Sequence, residues 1–166
     1  SFEAGDEENV RLQAEQMLNL IVGNQSDQHK DWDGNGTVDD LSDGYGLLLN
    51  GTNNGYIQGT ISHANLALSS SDATENMLVH GDHVKIAAEN VSGWTPQLRD
   101  QLIAVIEAPS FSEAESAIRQ AVNLANQIYN GVDTNGNENI EAIPGEGGVM
   151  TVYDHSYYMA DILLKP

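Results

Sequence analysis

One stretch constrains this chain more than any other: Asp31-Trp32-Asp33-Gly34-Asn35-Gly36-Thr37-Val38-Asp39-Asp40-Leu41-Ser42-Asp43. Side-chain oxygens recur at its first, third and fifth positions, a glycine stands sixth and an apolar residue eighth. Alternate side chains in so short a segment converge on one point while the glycine makes the sharp turn between them. Such a ring of oxygens suits a hard divalent cation, above all calcium. Asp31, Asp33 and Asn35 would give side-chain oxygens, Thr37 its carbonyl, and Asp39 would act through water. The expected closing carboxylate is Asp43, one residue late, because Ser42 stands twelfth. The competing reading is a surface turn rich in Asp, Asn and Gly.

A second segment repeats the register 102 residues further on: Asp133-Thr134-Asn135-Gly136-Asn137-Glu138-Asn139-Ile140-Glu141. Asp133, Asn135 and Asn137 stand where Asp31, Asp33 and Asn35 stand in the first, and Ile140 matches Val38. Asn139 holds the carbonyl position, Glu141 the ninth, and Glu146 follows as the closing carboxylate. Glu138 replaces the turn glycine, and three of the ligands would be neutral amides or carbonyls, so this copy is expected to bind calcium more weakly. Pairing of the two loops through the β-branched Val38 and Ile140 is a further expectation.

Both segments resemble EF-hand loops, and more closely the dockerin variety, in which aspartate can take the place of the closing glutamate. The resemblance covers the loops and their flanking helices only. A dockerin sets its two loops far closer together, so that family's partner is not carried over. What the resemblance implies is a pair of helix–loop–helix calcium sites.

The rest of the chain reads as all-α. A first helix opens on Asp6, Glu7 and Glu8, carries Val10, Ala14, Met17 and Ile21 on one face and stops at Gly23. A second, from about Tyr56 to Leu68, carries Ile57, Ile61, Ala64 and Leu68. Asp72 and Glu75 form the capping box of a third, with Met77, His80, Val84, Ala87 and Val91 on one face. Thr95-Pro96 opens a fourth through Leu98, Leu102, Val105 and Ile106, ended by Pro109. Ser112 and Glu115 cap a fifth through Ile118, Ala121, Val122, Ala125 and Ile128. Val149, Val152, Tyr153, Ala160 and Leu163 mark a sixth. The expected architecture is one domain over 1–166, a bundle of about six helices. Its helix–loop–helix units, at about 6–68 and 112–164, form a pseudo-repeat around a central helical hairpin.

Charge narrows the function. Six Lys and Arg against twenty-five Asp and Glu give a formal charge of −19, which repels phosphate backbones and makes nucleic acid an unsuitable partner. No run of apolar residues is long enough to span a bilayer, so membrane insertion is not expected. There is no cysteine, hence neither a disulfide nor a thiolate metal site. Calcium loops of modest affinity need millimolar calcium, which points to an extracytoplasmic setting. The start at Ser1 reads as a processed mature end or a trimmed fragment.

Catalytic motifs are missing: no Gly-x-Ser-x-Gly elbow, phosphate loop, dinucleotide fingerprint, His-Glu-x-x-His or Glu-x-x-His. The expectation is a non-enzymatic, calcium-stabilised module of a surface protein or assembly, binding another protein or itself. A calcium sensor ranks below it, because the four methionines fall on or near core stripes. The alternative is a small redox or hydrolytic metalloprotein with a transition metal on His63, His80, His83 and His155. His80 and His83, three apart on one helix, share a face.

Overall fold

A computed structural model describes residues 7–160, and within them the chain is all-helical, with five helices and no strand. They are α1 (Glu7–Val22), α2 (Gly55–Leu68), α3 (Glu75–Glu107), α4 (Phe111–Asn130) and α5 (Val149–Met159). Asp6 and Leu163, which the sequence reading placed in the first and last helices, lie outside the described residues.

Five helices stand where about six were expected because the third and fourth are one. α3 runs for 33 residues with Pro96 inside it. Proline cannot donate the bond back to residue 92, and that loss favours a break. The buried stripe wins: Val84, Ala88, Val91, Thr95, Leu98, Leu102 and Val105 recur at alternating steps of four and three, and all are buried. Ending the helix at Thr95 would throw half of that stripe out of phase. A single helix therefore stands where the central hairpin was expected.

Two caps also sit elsewhere than expected. Thr74, rather than Asp72, caps α3, its hydroxyl accepting the Met77 amide at 3.2 Å. Asp72 instead accepts the Ser70 hydroxyl. At α4 the capping box is Ser110 with Glu113, two residues before the expected pair. The Glu113 amide donates to Ser110 Oγ at 3.4 Å, and that hydroxyl donates to Glu113 Oε1 at 3.2 Å.

The chain gathers into two compact units, each discontinuous in sequence. The first comprises the described part of Ser1–Tyr56 with Thr95–Ala125, the second Ile57–Trp94 with the described part of Asn126–Pro166. In the first, Ala14, Leu18, Ile21 and Val22 of α1 are buried, as are Leu98, Leu102, Val105 and Ile106 of α3 and Ala114, Ala117, Ile118 and Ala121 of α4. Burying one such aliphatic side chain fully is worth about 1.5–3 kcal/mol. Arg11 of α1 closes the C-terminal end of α3, donating to the carbonyls of Ile106 and of Ala108 (2.7 Å for the latter). The last turn of α3 has no basic residue of its own, so Arg11 supplies the cation that the helix dipole favours there.

In the second unit, Ile57, Ile61 and Ala64 of α2, Val84, Ala87, Ala88 and Val91 of α3, and Ile128 of α4 are buried. Thr151 of α5 joins them. Each unit carries one of the two loops. Val38 is 47% exposed in the first and Ile140 42% exposed in the second, and the isolated β-bridge among the described residues joins Asn50 to Asn53.

Candidate metal centres

The two loops are built on the same ladder of side chains accepting their own backbone amides. Asp31 accepts from Gly34 (2.7 Å) and Gly36 (2.9 Å); Asp133 accepts from Gly136 (2.6 Å) and Glu138 (2.8 Å). Asp33 accepts the Asn35 amide (2.9 Å) as Asn135 accepts the Asn137 amide (3.1 Å). Asn35 accepts from Thr37 (2.8 Å) and Asn137 from Asn139 (2.9 Å). Across each ring, amide groups reach the ninth position. Asn35 Nδ2 donates to Asp39 (3.1 Å), and Asn135 and Asn137 donate to Glu141 (2.9 and 2.8 Å).

A buried glutamate holds each loop from inside. Glu146, singled out from sequence, is fully buried and accepts the amides of Thr134, Asn135 and Glu141, each at 3.2 Å, with the Thr134 hydroxyl at 2.9 Å. Its counterpart in the first loop is Glu15 of α1, also fully buried. Glu15 accepts the amides of Trp32 (2.7 Å), Asp33 (2.9 Å) and Asp39 (2.8 Å). These are the second, third and ninth positions in both loops. Oxygens of Glu15, Asp31 and Asp33 all lie within 4.8 Å of one another. Sequence reasoning missed Glu15. The signal available was a polar pair, Glu15 and Asn19, set one turn apart among the buried Ala14, Leu18 and Val22.

Asparagines on helices complete the seating. Asn19 donates to the carbonyls of Lys30 (3.1 Å) and Asp39 (2.9 Å) and accepts the Lys30 amide (3.2 Å). Asn90 of α3 donates to the carbonyls of Ile143 (2.9 Å) and Gly147 (3.1 Å) and accepts the Gly145 amide (2.7 Å). Asp43, the expected closing carboxylate of the first loop, is turned to another partnership: it accepts the Tyr56 hydroxyl and the Tyr45 amide (3.0 Å). Asp40 pairs with His29 at 3.0 Å.

These partners set the charge state of the loops. The Tyr56 hydroxyl, then the Tyr45 amide, holds the Asp43 carboxyl below the ordinary aspartate value. The Glu138 amide is the largest influence lowering Asp133. Burial by itself would raise Glu146, but the Thr134 hydroxyl and the amides of Glu141, Thr134 and Asn135 together bring it below the ordinary value. Burial likewise opposes, and His29 and Ser42 overcome, for Asp40. An ionised carboxylate has about four lone-pair directions. Asp31 and Asp133, with two amides each, and Asp33 therefore keep acceptor capacity for a cation. The oxygen chemistry fits calcium: Asp31, Asp33, Asn35, Thr37 and Asp39 would hold it in one loop and Asp133, Asn135, Asn137, Asn139 and Glu141 in the other. The expected closing carboxylates accept other groups, Asp43 the Tyr56 hydroxyl and Glu146 three backbone amides.

Three of the four candidate histidines come together in the second unit. His80 and His83 of α3 meet His155 of α5, with Nδ1 to Nδ1 separations of 2.8 Å (His80–His155) and 3.2 Å (His83–His155). Tyr158 packs beside two of them, its ring centre 5.2 Å from His80 and 5.7 Å from His155. Burial, then the neighbouring His83 and His80, lowers the His155 pKa from its ordinary value against the opposing pull of Asp154. His63 is not in the cluster: it lies exposed on α2.

No family model, curated protein or solved structure matches this chain. No helix among the described residues is long and apolar enough to cross a membrane.

Proposed function

We propose that this chain is a calcium-stabilised helical module with a structural or binding role. The observation carrying this reading is the ladder shared by two loops 102 residues apart, down to a buried glutamate on the second, third and ninth amides. A simple surface turn requires one or two such bonds. A full set in matching register, with oxygens of Glu15, Asp31 and Asp33 within 4.8 Å of one another in the first loop, supports loops arranged for a hard cation such as calcium. Loops of modest affinity fill at millimolar calcium, so the module is suited to an extracytoplasmic setting. Its partner class is another protein or a second copy, since a surface at −19 repels polyanions.

The test is calorimetry of unfolding with calcium and with chelator, the chelated sample having been unfolded and refolded to release any trapped ion. At a hundred times Kd each site adds about 2.7 kcal/mol. A melting temperature identical in the two conditions would overturn the proposal. Titration of Asp31→Ala and Asp133→Ala then ranks the sites. The first loop gathers Glu15, Asp31, Asp33 and Asp39, and the second Asp133, Glu141 and Glu146, so Asp31→Ala is expected to remove the tighter event.

A further inference from the structure

We propose that His80, His83 and His155 form a separate site for one divalent transition-metal ion of the class that prefers imidazole, with zinc as the probe. The inference does not rest on the calcium reading. It starts from the ring nitrogens. Neutral imidazole has one donor nitrogen and one acceptor nitrogen. His155 Nδ1 faces two other Nδ1 atoms, at 2.8 and 3.2 Å. If it accepts, two N–H groups crowd a single in-plane lone pair; if it donates, one hydrogen is split between two acceptors. Hydrogen bonding thus leaves the cluster poorly matched. A cation among the three nitrogens takes all three lone pairs at once.

The dimensions agree. Zinc–nitrogen bonds of about 2.0–2.1 Å at tetrahedral angles put neighbouring donor atoms about 3.3 Å apart. The two separations from His155 would open by about 0.5 and about 0.1 Å to reach that value, and ligand atoms of all three histidines lie within 4.8 Å of one another. The ligands come from one turn of α3 and from α5, so an ion would tie the two helices together. The cluster contains no carboxylate, so it suits a borderline ion rather than calcium, which takes six to eight oxygens. All three histidines are only partly buried, which leaves a fourth position to water.

The experiment keeps calcium at millimolar concentration throughout, so that exposed carboxylates are occupied, and titrates the full chain with Co2+ and then Zn2+. The expected result is one equivalent of Co2+ with the visible absorption of a tetrahedral nitrogen site, displaced by Zn2+. His80→Gln and His155→Gln should each weaken zinc binding by about 100-fold or more, since loss of an outer partner alone approaches that. His63→Gln should bind as the parent does. Zinc affinity unchanged in His80→Gln and His155→Gln, or lowered equally in His63→Gln, overturns the site. Should either cluster variant not fold, nitrogen shifts of the three imidazoles in the parent chain decide. They move on zinc addition if the site is real, and their failure to move overturns it.

Discussion

Glu15 and Glu146 do the same work from opposite sides of their loops. Glu15 reaches its loop from a helix that precedes it, Glu146 from the segment that follows, and each accepts the second, third and ninth amides. The contacts of Glu15 are 2.7–2.9 Å long, whereas the amide contacts of Glu146 are each 3.2 Å. Two carboxylates at unrelated chain positions thus satisfy the same three orphan donors.

The first prediction follows directly. Glu15→Gln keeps the shape but turns an NH2 group toward amides that need an acceptor. A buried donor left unpaired costs about 1–3 kcal/mol, more when the lost partner was charged. Glu15→Gln should lower the urea midpoint by a corresponding amount, and by more than Glu146→Gln does, because the Glu15 contacts are shorter. Equal midpoints for Glu15→Gln and the parent would show that the loop is seated by other means.

Arg11 supplies the second. It is one of only six basic residues, and it donates to the carbonyls of Ile106 and Ala108 at the end of α3 while pairing with Glu7 at 3.0 Å. A hydrogen bond to a charged group contributes about 1.5–3 kcal/mol. Arg11→Ala should destabilise the chain by about that much in a thermal or urea melt. Glu7→Ala should cost far less, since that pair is a half-buried contact one helical turn apart, of the kind worth about 0.3–0.5 kcal/mol.

Much of the fold is legible in the sequence, for local reasons. The ladder shared by the two loops is local, because side chains two residues apart need only their own segment to reach its amides. Helix extents follow from stripes such as Ile57, Ile61 and Ala64, all buried. Pro96 was misread because a proline at a helix start and one inside a helix look alike over four residues. Only the phase of the stripe from Val84 to Val105 separates them, and that is a property of 22 residues. Glu15 was hidden for a different reason: its role depends on where α1 packs, 16 residues before Asp31. Among the histidines, His80 and His83 are joined by helical spacing. The separation of His63 from His155 depends on how α2 is rotated about its axis, which an apolar stripe sets only loosely.

The third prediction concerns acid. Asp43 is held below its ordinary value first by the Tyr56 hydroxyl. A carboxyl whose folded pKa is depressed contributes stability above its unfolded value, near 3.9, and that contribution disappears as pH falls through the folded value. Tyr56→Phe removes the hydroxyl and should move the Asp43 titration upward, toward the ordinary value, in a carbon-detected NMR titration. The variant should also be less stable than the parent above about pH 4 and lose less of its stability than the parent as pH falls below that, because the Asp43 contribution is smaller. An Asp43 titration that does not move would assign its depression to the Tyr45 amide instead.

The last prediction turns on position six of the loops. Gly36 has φ +90° in the first, and Glu138 has φ +65° in the second, where it is the lone non-glycine residue in that region among those described. A side chain in the left-handed region costs about 1–2 kcal/mol, whereas glycine adopts it freely. What the ladder requires of Glu138 is its backbone, since its amide donates to Asp133 at 2.8 Å as that of Gly36 donates to Asp31 at 2.9 Å. The substitution Glu138→Gly keeps that amide and removes the strain. Glycine also loses more conformational freedom on folding, by about 0.5–1 kcal/mol, so the net gain should be about 0.5–1 kcal/mol. Gly36→Ala is the reciprocal change: no atom obstructs the new methyl group, but the backbone strain, partly offset by the conformational freedom that glycine no longer loses, should destabilise by about 0.5–1 kcal/mol. Melts in chelator, where ion binding does not contribute, should show the two variants shifting in opposite directions. A Glu138→Gly variant less stable than the parent would mean that the Glu138 side chain contributes more to the second loop than its backbone strain costs.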